Sequence, residues 1–361
     1  MKTHIILFAL VCLIFSTSNA QTNQELAYQK AREAIKLMDE GKLDESIVLL
    51  KESQKLDPEN IHYSYEMALA YTYKKDYKKS ISILKKVLKK SEANSQFYQL
   101  LGNSYSMSGN KVKALKTYAE GLDVFPNSGN LYLEAGNISL MAEDYEQAIQ
   151  FYEKGVEVDP EFPSNYYRLA LLFLHSSDKL SGLIYGEIFM NLERTTSRTV
   201  EMSKLLFETY DSSVEFMGDS IKTDFCQIVI IAEDFDPENF KLPFCGVFGQ
   251  HFIMATVGQT EMNLKSLAEM RSTFIDLYFD EENEVFSGAK IYPNVLYSYH
   301  QMMKENKVFN AYNHYLFQMA RENEFVAWKE ENSEEYDAFV EWYTDEENYL
   351  TIGAENTFLR T

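Results

Sequence analysis

The sequence predicts an all-α protein: a solenoid of paired antiparallel helices followed by a helical C-terminal region. Three observations carry this expectation. Small side chains recur every 34 residues over the first half of the chain. Apolar residues within each repeat recur at three- and four-residue spacing, as in Ile81, Leu84, Val87 and Leu88, or Ala114, Leu115, Tyr118 and Leu122. Gly (15) and Pro (7) are few among 361 residues, which disfavours turn-rich β structure and disorder. The length suits about two domains, and with 45% hydrophobic residues the chain has material for sizeable cores.

The first twenty residues read as a targeting segment. Lys2 and His4 give a polar start, Ile5 to Phe15 is an unbroken apolar run, and small residues at Ser18 and Ala20 precede Gln21. This is the layout of a cleavable signal peptide, and the run is too short to span a bilayer. Val11 before Cys12 and the apolar residues after it argue against a lipid anchor. The expected mature chain begins near Gln21 and lies outside the cytoplasm, secreted or periplasmic. A net charge of −21 disfavours nucleic acid and anionic membrane as partners. Beyond the leader, Cys226 and Cys245 stand 19 residues apart. A disulfide and two unpaired buried thiols both fit that spacing in an oxidising compartment.

The repeat register follows from the prolines. Pro58, Pro126 and Pro160 are separated by 68 and 34 residues, and counting them as position 32 defines frames 27–60, 61–94, 95–128 and 129–162, with a weaker frame 163–196. Position 8 is then Ala34, Ala68, Gly102, Gly136 and Ala170, and position 20 is Ser46, Ser80, Ala114, Ala148 and Gly182. Small residues at both places let two helices approach closely. Larger ones at position 11 (Leu37, Tyr71, Tyr105, Ser139, Phe173) and position 24 (Leu50, Leu84, Tyr118, Tyr152, Gly186) fill the space beside them. Proline lacks a backbone N–H and ends the second helix. Glu92 and Arg194 replace it in the second and fifth frames, and Gly186 stands where a filler belongs.

This pattern resembles the tetratricopeptide repeat across residues 27–162. The resemblance implies a solenoid at 21–196 whose first helices line a concave face that holds a peptide or protein partner. The expected lining falls at positions 2, 5, 9 and 12. From it we single out Tyr65, Leu69, Gln96, Gln99, Asn103, Asn130, Asn137 and Tyr167 as the candidate groove. Amides suit a peptide backbone because they both donate and accept hydrogen bonds, and Tyr65 and Tyr167 are candidate anchors. Packing of the same residues within the chain is the alternative. One binding mode of the family is excluded: a carboxylate clamp needs cations near Asn103 and Asn137, and Gln99, Leu133, Leu100 and Glu134 occupy the required places.

Residues 197–361 continue in helical patterns without a 34-residue frame. Met202, Leu205, Leu206 and Tyr210 form one face, and Leu264, Leu267, Met270, Phe274 and Leu277 another. Phe309, Tyr312, Tyr315 and Leu316 form a third. Phe325, Trp328, Tyr336, Phe339 and Trp342 point to a closing pair of helices, and Lys241 to Cys245 to a turn into a helix. Cys226 to Ile231 fits a strand or a buried helix equally. No His-Glu-x-x-His, Gly-x-Ser-x-Gly, phosphate loop or Cys-x-x-Cys occurs. The acidic loop Asp234, Asp236, Glu238 and Asn239 lacks the glycine and closing Glu of a calcium site, and His300 and His314 fall in separate segments. We expect no cofactor, no metal, and a binding module rather than an enzyme. A site of unrecognised type in the C-terminal half and a structural spacer are the alternatives.

Overall fold

The computed structural model describes residues 22–89, 93–218, 220–228, 241–280, 282 and 287–360. The expected leader, Glu92 and the acidic loop at Asp234 to Asn239 lie outside the described residues, as do residues 229–231 of the candidate strand. The chain divides into two compact units, Met1–Ala148 and Ile149–Thr361.

In the N-terminal unit, α1 (residues 22–39), α2 (Leu43–Leu56), α3 (His62–Tyr73), α4 (Tyr77–Val87), α5 (Ser95–Met107), α6 (Lys111–Val124) and α7 (Gly129–Leu140) follow the 34-residue register. The turn inside each pair is built the same way each time. Position 15 takes a left-handed backbone at Gly41, Lys75, Gly109 and Glu143, which is strained at the two non-glycine residues. Position 16 then caps the second helix in the pairs after the first; in the first pair it is Lys42, which makes no side-chain cap. Asp76, Asn110 and Asp144 accept from the backbone N–H groups of Lys79, Lys113 and Gln147.

The small positions bring the helices together as expected. A Cβ added to Gly102 would overlap the Tyr118 ring, so the missing side chain of position 8 is the space that the position-24 filler occupies. Ala34, Ala68, Ala114, Leu50 and Leu84 are fully buried by the same pairing. The hydroxyl of Ser80, at one of the small positions, is hydrogen-bonded. Thr72, Ser80 and Ser104 form a buried triangle with oxygen separations of 2.9, 3.2 and 2.9 Å, linking α3, α4 and α5.

The C-terminal unit starts within α8 (Tyr145–Val158) and continues through α9 (Pro163–Leu174), α10 (Lys179–Leu192), α11 (Ser197–Ser213), α12 (Phe244–Ala255), α13 (Leu264–Tyr278), α14 (Gly288–Ile291), α15 (Val295–Glu305), α16 (Phe309–Phe317), α17 (Glu322–Glu331) and α18 (Ser333–Thr344). Met202, Leu206, Tyr210, Leu264, Leu267, Met270, Phe274, Phe309, Tyr312, Leu316 and Phe339 are buried on the faces expected of them. A short antiparallel hairpin interrupts the helices: β1 (Val214–Met217) pairs with β2 (Ser220–Thr223). Extended structure thus lies upstream of the predicted stretch, and Cys226 makes only an isolated bridge to Asp178.

The boundary expected at residue 196 is displaced. The division falls at 148/149 because the fifth helix pair, α9 and α10, packs with α11, α15 and α13 instead of ending a separate domain. Its departures from the repeat explain this. A Cβ on Gly186 would sit 2.8 Å from Met202 Sδ and 2.9 Å from Leu206 Cδ2, so the absent filler is the seat of α11. Arg194, in place of the terminal proline, lies over the rings of Tyr343 and Tyr349 at 4.0 and 3.9 Å.

Gly102→Ala is expected to cost about 1–3 kcal/mol through overpacking against Tyr118. Gly109→Ala, with open space around it but a φ of +85°, is expected to cost about 1 kcal/mol through backbone strain alone. Urea denaturation of the two variants checks this, and a Gly102→Ala midpoint equal to wild type would refute the packing described.

Candidate functional site

The candidate groove is built on the first helices of successive pairs, and α3 packs on α5 and α5 on α7. Residues at equivalent positions therefore form rows across the unit. Gln99 and Asn103 on α5 and Asn130 and Asn137 on α7 are half-buried and are brought together around Glu134, a residue that the groove set omitted. Gln99 Nε2 and Asn103 Nδ2 donate to Glu134 Oε1 at 2.8 and 3.1 Å, and Asn137 Nδ2 to Oε2 at 3.2 Å. Asn130 Nδ2 donates to Gln99 Oε1 at 2.9 Å, and Tyr118 to Asn103 Oδ1 at 2.5 Å. Burial, then the charge of Glu134, pushes the Tyr118 hydroxyl well above its ordinary pKa, so it stays a donor. The amides thus join α5 to α7 as well as facing solvent. Amide and carboxylate orientations follow from this hydrogen-bond pattern.

Gln96 is exposed at the start of α5, and its backbone N–H is capped by Asn94. Tyr65 is half-buried, edge-on to Phe97 at 5.1 Å, and Leu69 fills the seam between two apolar clusters. Tyr167 requires a correction. It belongs to the C-terminal unit and is 9% exposed. Its hydroxyl donates to Glu201 at 2.5 Å, its ring meets Phe189 at 5.1 Å, and Arg198 lies 5.0 Å above it. Burial, followed by Glu201, pushes that hydroxyl up to about 12. The helix α11 covers the face on which a partner anchor was expected.

Sequence reading missed a second row. Repeat position 13 is Tyr73, Met107 and Met141, which are 57%, 59% and 60% exposed at the ends of α3, α5 and α7. The signal was present, since these residues stand 34 apart, but the groove set stopped at position 12.

The C-terminal unit holds the main convergence of titratable groups, and it is closed. Arg271 Nη2 on α13 donates to both Glu187 oxygens on α10 at 2.6 and 2.7 Å, and its Nη1 to Asn313 Oδ1 at 2.7 Å. His300 Nε2 and Tyr312 donate to Glu187 Oε1 at 2.7 and 2.9 Å. Asn191 then donates to Tyr312, and Tyr343 to Asn191. All seven side chains are buried. Burial raises the Glu187 carboxyl, but Arg271 and then His300 outweigh it and hold it at about 2. Burial lowers His300 from its ordinary value, so the ring is neutral at neutral pH. The cluster ties five helices together, α10, α13, α15, α16 and α18. No signal in the sequence pairs residues 84 apart.

His314 is stacked on Trp328 at 4.0 Å and does not meet His300. Among the described residues, no group of three or more His, Cys, Asp or Glu is placed to hold a metal ion. Cys226 and Cys245 form a disulfide, which borders a cavity of about 490 Å³ lined also by Asp178, Phe244, Tyr292, Phe358 and Arg360. The aromatic load is largely core: Phe225, Phe248, Phe252, Phe274 and Tyr278 form one continuous set of ring contacts.

Helical hairpins in a 34-residue register, with a row of first helices on one side, define a repeat scaffold of the kind that presents an extended surface to other proteins. Residues 129–162 match the tetratricopeptide-repeat family model. No curated protein matches the chain significantly. Among solved structures, a thermophilic tetratricopeptide-repeat protein from Thermus thermophilus is 16% identical, covering 50% of this chain and 98% of its own, with a TM-score of 0.42. PilF of Pseudomonas aeruginosa is 16% identical over 52% of this chain and 86% of its own, with a TM-score of 0.42. MamA of Desulfovibrio magneticus is 20% identical over 47% and 97%, with a TM-score of 0.36. Among the described residues, no helix is long and apolar enough to cross a membrane.

Arg271→Met alone is expected to destabilise the protein by about 3–5 kcal/mol, because Glu187 would be left buried without its counter-charge. The double variant Glu187→Leu/Arg271→Met is expected to regain most of that loss, and a strictly additive double would contradict the coupling. The same cluster sets a pH dependence. His300 titrates near 6.5 when unfolded and lower when folded, so the stability tied to its neutral ring is present above that value and is lost as pH falls below it. Glu187 adds a loss of the same sign between 4.5 and about 2. Urea midpoints at pH 7, 5 and 3 are expected to fall in that order, with the first step smaller in His300→Gln.

Proposed function

We propose that the protein is an exported, non-catalytic binding scaffold whose N-terminal unit holds a segment of a partner protein along the first-helix row α3, α5 and α7. The observation that carries this reading is the coexistence of rigidity and exposure on one face. Hydrogen bonds from Gln99 and Asn103 on α5 to Glu134 on α7 hold these neighbouring first helices in place, while large apolar side chains at their ends stay open to solvent. A rigid face with unsatisfied apolar surface suits a partner that arrives as a flexible segment, since only the partner then loses conformational freedom. Export rests on the polar start, apolar run and small residues ahead of Gln21. The disulfide between Cys226 and Cys245 agrees with an oxidising compartment.

The test uses the chain from Gln21 onward as bait in an extract of the source cell's envelope. A specific protein captured by wild type is expected to be depleted by Tyr65→Ala and by Gln96→Arg, the second being an exposed change that leaves packing alone. Equal capture by wild type and both variants would overturn the groove assignment. Recovery of the full-length chain uncleaved from the cytoplasm would overturn export.

A further inference from the structure

We propose that the segment held on α3, α5 and α7 is cationic and amphipathic, with apolar side chains along one edge and Lys or Arg along the other. This rests on the groove reading above and names the chemistry of its partner.

Two parallel rows carry the inference. The first is apolar: Tyr73, Met107 and Met141 are each more than half exposed and occupy the same repeat position on adjacent first helices. Single exposed apolar residues are ordinary, but three in phase form a stripe, and methionine adapts its shape to varied partners. The second row is anionic. Glu66 and Glu134 share repeat position 6, seven residues before Tyr73 and Met141. Seven residues are close to two helical turns, so each carboxylate lies on the same face as its apolar neighbour, about 10 Å away along the helix. Both are half-buried, and among the described residues neither has a Lys or Arg within ion-pair distance. The donors to Glu134 are neutral amides that orient its charge without cancelling it. Burial, then the nearby Asp39 carboxylate, raises Glu66 from its ordinary value, so a cation brought to Glu66 relieves an existing cost. A partner with cations at one level and apolar groups about 10 Å away satisfies both rows at once.

The experiment measures binding of fluorescent synthetic peptides to the chain from Gln21 onward by anisotropy. A Lys/Leu amphipathic peptide is compared with a Glu/Leu peptide of the same apolar pattern and with a Lys/Ser peptide. The Lys/Leu peptide is expected to bind at least about tenfold more tightly than either. Glu66→Gln/Glu134→Gln and, separately, Tyr73→Ser/Met107→Ser/Met141→Ser are each expected to weaken it about tenfold. Glu330→Gln/Glu334→Gln makes the same charge change at exposed positions elsewhere and is expected to leave binding unaltered. Equal binding of the Lys/Leu and Glu/Leu peptides, or equal weakening by the control pair, would overturn the proposal. If the apolar-row variant still loses the natural partner in such a case, the groove reading stands without the charge assignment. If it retains that partner, both fall.

Discussion

The close approach of two helices at a small side chain is the constraint on which the N-terminal unit depends. Gly102 leaves the volume that Tyr118 fills, and the hydroxyl of that tyrosine reaches through to Asn103 on the solvent-facing side. The packing contact and the surface polar network are thus parts of one arrangement. Because equivalent contacts recur at each repeat, each pair is placed by its neighbours, and the first helices become a row whose side chains stay in phase. A surface with regular spacing is a consequence of core packing.

The C-terminal unit is held differently. Its centre is a carboxylate with a guanidinium, an imidazole and a phenol around it, enclosed by aromatic rings from several helices. Burying such charges is costly in itself, and the arrangement is tolerated because the donors and acceptors are matched. Through it Glu187 on α10 is bonded to α13, α15 and α16 at once. The fifth helix pair keeps the small residues of the repeat but has given up its filler and its terminal proline. The vacated space receives α11 and the ring stack around Arg194.

Legibility followed the range of the interactions. Helix pairing, turn positions and the buried face of each repeat could be read because position 8 meets position 24 within about one period. The helical faces of the C-terminal half were legible for the same local reason. Tyr167 was misassigned because its covering helix lies 30 or more residues downstream. Position 13 was overlooked although its periodicity was plain in Tyr73, Met107 and Met141.

By itself the sequence determined that the chain repeats, that its helices pair, and where each pair turns, since these follow from backbone and side-chain size over short separations. Only the tertiary structure decided that the fifth pair belongs to the second unit, that Glu187 meets Arg271 and His300, and that Glu134 gathers the amides. Those outcomes depend on which helices come together across long stretches of chain, and no spacing between residues records that choice.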